Sequence, residues 1–381
     1  MMTREKSADL AIVGAGIEGL AHALAAAKKG LSVVVFERNE YPIGASACSF
    51  GLLFTLLLEA GKIQEWALKS REIWLDLAAK ANFAVHRCGS VIVANHRDEW
   101  DVLSEFYLQP DALGGQCRLL DPRETLVRLP MLQNRALRGG LWSQYEVQVG
   151  PREAIPAITR YLEEVYDVRF IWGAQVRGLE LPHIETSRGN WQAERTVVCP
   201  GDDYQTLYPD LLSQQSLTRC KSQMLRIGPQ PRGWQLPCIL LSGLSLLRYP
   251  AFAQCPSLPR LRKRLEGDKS ETLRFGIHLI LCQGFAGDLI VGDSHEYGLT
   301  PSPFNSGRVD ELLLQHAKAL VNIRNTRVVE RWSGVYAFSE QYDHLILSPT
   351  PATRVVLITS EIGMSVAFAL ADEVIDELLT H

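Results

Sequence analysis

At 381 residues the chain is longer than one hydrophobic core comfortably serves and suits two domains, and its composition is that of an ordinary globular protein. A formal net charge of −4 gives no global attraction to nucleic acid or to an anionic membrane, which leaves small molecules as the expected partners. The eight cysteines are dispersed, with no C-x-x-C pair, which speaks against a zinc site, an iron–sulfur cluster or a disulfide framework and makes a reducing cytoplasm the default location.

The first residues are polar with both charge signs, and no signal peptide is expected there. An apolar strand over residues 9–13 then runs straight into Gly14-Ala15-Gly16-Ile17-Glu18-Gly19 and a helix over 20–29. This arrangement is a cradle for a nucleotide pyrophosphate. Gly14 permits the tight turn, Gly16 lets phosphates approach the backbone, and Gly19 lets the helix pack closely on the strand with its amino end toward the anion. A second strand over 31–36 delivers Glu37, with Arg38 beside it. An acid about 20 positions past the glycines suits both hydroxyls of an adenosine ribose and repels a 2′-phosphate, so NAD or FAD fits better than NADP.

Next comes a small-residue loop, Gly44-Ala-Ser-Ala-Cys-Ser-Phe-Gly51, suited to lie against a flat ligand. The greasiest segment, 52–58, falls well short of the ~20 residues that span a bilayer. An amphipathic helix is expected over 59–81, strands between 84 and 94, and a helix over 97–106. Residues 110–140 look irregular, apart from a short helix opened by Asp121 as cap and Pro122 in its first turn. A helix over 149–162 and a strand over 168–172 follow. Arg195-Thr-Val-Val-Cys-Pro200-Gly201 reads as a buried strand ending in a glycine turn, which returns the chain to the nucleotide sheet. Strand patterns over 223–227, 245–249, 272–281 and 288–291 indicate a second, largely antiparallel domain. Finally a strand over 354–359 meets Gly363 and a helix over 363–379, repeating the logic of the amino terminus.

With these residues in view, the chain resembles the D-amino-acid oxidase superfamily of FAD enzymes over nearly its whole length. The resemblance is carried by Gly14-x-Gly16-x-x-Gly19 with Glu37, Gly44-Ala45-Ser46, Val176 after Trp-Gly-Ala-Gln, Val197-Val-Cys-Pro-Gly201, Trp332-Ser-Gly-Val-Tyr336 and Thr359-Ser-Glu-Ile-Gly363-Met364-Ser365. Residues 291–298 and 330–336 are similar to the branch encoded beside organophosphonate-degradation genes. The fold implied is α/β, a Rossmann-like FAD-binding domain of glutathione-reductase type interleaved with a mainly antiparallel β substrate domain. Residues 1–81, 141–217 and 325–381 would form the first domain, and 82–140 with 218–324 the second.

The resemblance implies non-covalent FAD held by Gly14, Ala15, Gly16, Ile17, Gly19, Glu37, Arg38, Gly44, Ala45, Ser46, Val176, Pro200, Gly201, Gly363, Met364 and Ser365. Val176 rests on the resemblance alone, since burial habits would make it an ordinary core valine. A covalent link through a cysteine two residues before Tyr336 is excluded, because Gly334 stands there.

The activity implied is removal of hydride from the carbon beside a neutral amine, then hydrolysis of the imine, with dioxygen or an electron carrier as acceptor. Amino-acid oxidases of the superfamily often clamp the substrate carboxylate with an arginine where this chain has Tyr336. Other groups for an anionic head are Arg219, Lys221 and Arg331, with His278 and His295 as pocket walls. Each histidine is equally well explained as a satisfied structural residue. The basic run Arg260-Leu-Arg-Lys-Arg264 reads as a solvated loop face and is left out of the site. No metal is expected.

Two departures stand out against the resemblance. Cys48-Ser49 stands where the organophosphonate-associated branch usually has Arg-Asn, and Glu361-Ile362 replaces a small Gly-Thr pair beside the flavin. The expected activity is oxidative deamination or N-dealkylation of a small primary or secondary amine carrying an anionic group, an aminophosphonate being one candidate. The alternative is a flavoprotein fold that has lost turnover and serves as a binding or regulatory protein. A nicotinamide-dependent dehydrogenase would leave the second domain and the carboxyl-terminal glycine turn unexplained.

Overall fold

The computed structural model describes residues 6–109, 117–133 and 136–380. Its first sheet has a parallel centre, in the order Arg169–Trp172, Val33–Glu37, Ser7–Val13, Gly189–Val198, Thr353–Ile358. The antiparallel strands His183–Thr186 and Val176–Glu180 extend one side, and His344–Thr350 adds to Thr353–Ile358. Parallel strands read as continuous apolar runs because both faces are covered. One face is covered by the helices Ile17–Lys28, Lys62–Lys80 and Gly363–Thr380, whose Leu20, Trp74 and Phe368 share a core with Leu10 and Ile12. The other face packs Phe36, Val198 and Val355 against Trp191.

The second sheet is nine-stranded and antiparallel except where Ser90–Ala94 runs parallel to Ile239–Leu241. Its long central strand, Thr218–Ile227, pairs with Val328–Phe338 in a register running from Thr218 opposite Phe338 to Ile227 opposite Val328. The expected boundary at 325 therefore cuts on the wrong side of Val328–Phe338, which belongs to the second sheet by its hydrogen bonds. Gly139–Ser143 likewise pairs with Ser90–Ala94. A small sheet of Leu52–Leu53, Val147–Val149 and Val85–His86 joins the two parts.

The α/β architecture and the amino-terminal strand, helix and strand agree with expectation. The second domain departs from it in four places. Residues 245–249 are not a strand, because Gly243–Leu247 winds into a 3₁₀ helix. Residues 272–281 divide between a helix, Ser270–Arg274, and a strand, Ile280–Gln283. The basic run at 260–264 lies in the helix Leu258–Asp268, where Leu261 and Leu265 are buried, Arg260, Arg262 and Lys263 stay exposed, and Arg264 is half-buried against Asp98 and Glu99. Residues 110–140 also contain the strand Cys117–Leu120; 110–116 and 134–135 lie outside the described residues. The helix Pro122–Arg128 has its expected Asp121 cap, accepting from the Glu124 N–H at 2.7 Å. Among the described residues no helix is long and apolar enough to cross a membrane.

Candidate active site

The glycines at the amino terminus are required by space as well as by conformation. Gly14 has φ +99°, and a Cβ there would overlap the Cys199 carbonyl; at Gly19 a Cβ would overlap the Gly14 carbonyl. The strand Ser7–Val13 can turn into Ile17–Lys28 only with those side chains missing. Gly16 provides the helix cap without a side-chain bond, and the Ile17 N–H donates to Ser46 Oγ at 3.0 Å. Glu37, buried at the end of its strand, accepts from the Ala15 N–H at 3.0 Å and from the Asn39 N–H and side-chain amide at 3.0 Å each.

A cavity of about 550 Å³ opens over this turn and runs to the second sheet. Every expected cofactor residue lines it except Ala15, whose N–H is turned to Glu37, and Ser365, whose Oγ accepts from the Phe54 N–H at 2.9 Å. Arg38 is at the wall but gives its guanidinium to Asp203 at 2.7 Å. The residues fit a dinucleotide cofactor: a Cβ is sterically forbidden at two glycines and the Gly16 position is open toward the cavity.

Cys48 and Ser49 also line the cavity. The Cys48 carbonyl accepts from Trp332 Nε1 at 2.8 Å, and Ser49 Oγ donates to the Ser46 carbonyl at 3.0 Å. The loop is thus tied to Val328–Phe338 through the Cys48 backbone, a bond any residue at this position could accept, while the Ser49 bond stays within the loop.

Glu18, passed over in the sequence, lines the cradle with Oε1 lacking a hydrogen-bond partner. Burial pushes its carboxyl up to about 8, against a backbone hydrogen bond at Ile358 that pulls the other way. The folded protein therefore keeps a proton that the unfolded chain has released, so this group lowers stability progressively as pH rises from about 4.5 toward 8. Glu18→Gln is expected to remove that slope. Because the carboxyl faces an open cavity, the gain at pH 8 over pH 5 should be on the order of 1–3 kcal/mol in urea unfolding of flavin-free protein. Equal pH slopes for both proteins would sink this account of Glu18.

The far end of the cavity is polar. His278 and Tyr336 line it, together with Tyr249, Asp293 and Glu361, of which Glu361 alone had drawn notice in the sequence, as a departure beside the flavin. His295 lies one layer back, its Nδ1 donating to the Gly276 carbonyl at 2.8 Å and its Nε2 3.6 Å from Asp293 Oδ2. His278 Nε2 is 3.1 Å from Asp293 Oδ1. Among the described residues these three form a group of ligand atoms within 4.8 Å of one another. Burial pushes the Asp293 carboxyl up, but His295, His278 and Arg248 outweigh it and hold the group below the usual carboxylate range. Burial lowers His295 despite the neighbouring carboxylate.

Three expected cations are engaged elsewhere. Lys221 Nζ donates to the carbonyls of Ser302, at 2.7 Å, and Phe304; Arg331 donates to Asp310 at 2.6 Å. Arg219 is bound to Asp202 and to the Leu299 carbonyl. None of the three lines the cavity. Arg248, projected by the 3₁₀ turn that had looked like a strand, does not line the cavity itself but reaches two of its wall residues, Glu361 and Tyr336. It donates to Tyr297 OH at 2.6 Å, to Tyr336 OH at 3.4 Å and, through two nitrogens, to both oxygens of Glu361. Burial raises Glu361 while Arg248 and the histidines lower it, with a net depression; burial and the Glu361 charge both raise Tyr336.

Comparison with known proteins places this architecture. The family model DAO, described as FAD dependent oxidoreductase, matches residues 9–377. Glycine oxidase of Geobacillus kaustophilus strain HTA426 is 23% identical over 345 residues, spanning 86% of this chain and 80% of that protein. The crystal structure of glycine oxidase from Geobacillus kaustophilus superposes with a TM-score of 0.80 at 20% identity, over 98% of this chain and 95% of that one. L-proline dehydrogenase from P. horikoshii gives 0.79 at 18% identity, over 99% and 94%. Iminodiacetate oxidase from Chelativorans sp. BNC1 gives 0.73 at 15%, over 97% and 95%.

Proposed function

The chain belongs to the DAO family of FAD-dependent oxidoreductases, and from that premise we propose that it oxidises a small primary or secondary amine carrying an anionic group, an aminophosphonate foremost. The enzyme class, an FAD-dependent amine or amino-acid oxidoreductase, follows from the family. The substrate reading is carried by one observation: a single cavity joins the glycine cradle to a polar end bearing Asp293, Tyr336 and Glu361.

Bound FAD would supply the two-electron acceptor for the C–H bond beside the amine, and water would hydrolyse the resulting imine. The cradle residues Gly14, Gly16, Ile17, Ser46 and Glu37 would hold its nucleotide half, and Gly363 and Met364 the end near the substrate. Asp293 lines the cavity with its carboxyl held below the usual carboxylate range; Oδ1 is buried against His278 Nε2 at 3.1 Å, which leaves Oδ2 as the oxygen to accept from the amine N–H. Arg248, backed by Tyr297 and Tyr336, is the cation for the anionic head group. Tyr336 stays protonated and donates. The eight cysteines are unbridged, which accords with a reducing cytoplasm.

The test is anaerobic titration of the flavin-loaded protein with glycine, N-methylglycine and aminomethylphosphonate. The expected result is bleaching of the oxidised-flavin bands by an anionic amine, with the aminophosphonate most effective. Retained flavin that no amine bleaches would favour the reading of a fold without turnover. Peroxide formation on admitting air would identify dioxygen as the acceptor, and its absence an electron carrier.

A further inference from the structure

Resting on the assignment of Arg248 to the substrate head group, we propose that Glu361 is the resident occupant of that subsite, displaced by the substrate's own anion. Its presence makes the site select a dianionic head group over a monocarboxylate. The geometry is that of a bound carboxylate. Glu361 Oε1 accepts from Arg248 Nε at 3.1 Å and Oε2 accepts from Nη2, the two-pronged pattern an amino-acid carboxylate would itself adopt. Glu361 and Tyr336 line the cavity and Arg248 does not, so the carboxylate stands between the guanidinium and any ligand. Apart from Arg248, the hydrogen-bond partner of the Glu361 side chain is Tyr336 OH at 3.2 Å.

Displacement is open to Glu361. Its side chain is 30% exposed and has Tyr336 OH as a second partner at 3.2 Å, so leaving Arg248 does not strand it as an unpaired buried charge. The exchange then decides selectivity. A monocarboxylate taking its place remakes the same two bonds and bears the cost of its own immobilisation, so little is gained. A phosphonate dianion brings a second charge and a third oxygen, within reach of the hydroxyls of Tyr297 and Tyr336 that already face Arg248. The sequence feature that looked like a defect beside the flavin becomes the element that sets which anion enters.

Methylphosphonate and acetate, which carry no amine to oxidise, are the probes. Their binding to the flavin-loaded protein is read by flavin absorbance perturbation and by calorimetry. Wild type is expected to bind methylphosphonate at least about tenfold more tightly than acetate, and Glu361→Gln to bind acetate about tenfold more tightly than wild type does. Glu361→Asp, with its carboxylate withdrawn by one methylene, should fall between them, and Arg248→Met should bind neither anion. Acetate affinity unchanged in both Glu361 variants, or anion binding retained in Arg248→Met, would overturn the proposal. If no amine bleaches the flavin yet the anions follow this pattern, the amine reading falls and the subsite stands. If amines bleach it and the anions do not follow, the subsite alone falls.

Discussion

Gly16→Val is expected to give a folded protein that does not retain flavin. Gly16 has φ −67° and ψ −179°, a backbone geometry open to any residue, and an added Cβ would lie 3.2 Å from Ser46 Oγ, a tight contact that a small rotation of the serine relieves. The fold can therefore take the substitution. The two methyl groups of valine, however, project where a pyrophosphate must approach the backbone, because Gly16 lines the cavity. FAD affinity should fall at least about a hundredfold, the equivalent of roughly 3 kcal/mol of steric conflict. Visible absorbance per protein after adding FAD, with far-ultraviolet circular dichroism as the control, reads both halves of the expectation. Gly19→Ala should behave in the opposite way, losing the fold itself, since its Cβ would overlap the Gly14 carbonyl. Normal flavin content in Gly16→Val would refute the cradle assignment.

The contrast between those two glycines shows what was legible in the chain. The cradle could be read because its constraints are local: strand, turn, helix and acid succeed one another within about 25 residues, and each glycine has a steric reason visible in the spacing. The polar end of the cavity could not be read in the same way. Lys221 and Arg331 were reasonable cations on a pocket-facing sheet, but their charges are absorbed by Ser302, Phe304 and Asp310, on a loop and helix with no strand periodicity. Arg248 was hidden because Ser245–Tyr249 alternates like a strand, whereas Ser242 and Gly243 start a 3₁₀ turn that aims the arginine at Glu361, 113 residues away. Glu361 did carry a signal, a charge where a small residue is usual, but its meaning depended on that distant partner. His295 sat in the right polar segment, and the residue two places before it, Asp293, is the one at the cavity wall.

Asp293→Asn tests that wall most severely. The carboxylate faces the Nε2 edges of two stacked imidazoles, 3.1 Å from His278 and 3.6 Å from His295, and is buried with them. Asparagine has the same shape but replaces one acceptor oxygen with an NH2 donor beside the imidazole nitrogens, so the variant should lose about 1–3 kcal/mol of stability at neutral pH. The pH dependence follows from the direction of the shift. Asp293 is held below the usual carboxylate range in the folded protein, so its contribution is present in full above about pH 4, the unfolded value, and drains away as the solution is acidified further. Wild type should therefore lose stability more steeply than the variant below pH 4, and the two urea midpoints should converge there. Flavin content should be unchanged, because Asp293 is at the opposite end of the cavity from Gly14 and Glu37. If the carboxylate also receives the amine N–H, KM should rise about tenfold or more with a smaller effect on kcat, the signature of lost binding common to ground and transition states. A stability loss with KM untouched would leave Asp293 as the support of His278 and His295 alone and would move the amine's anchor to another group at the cavity wall.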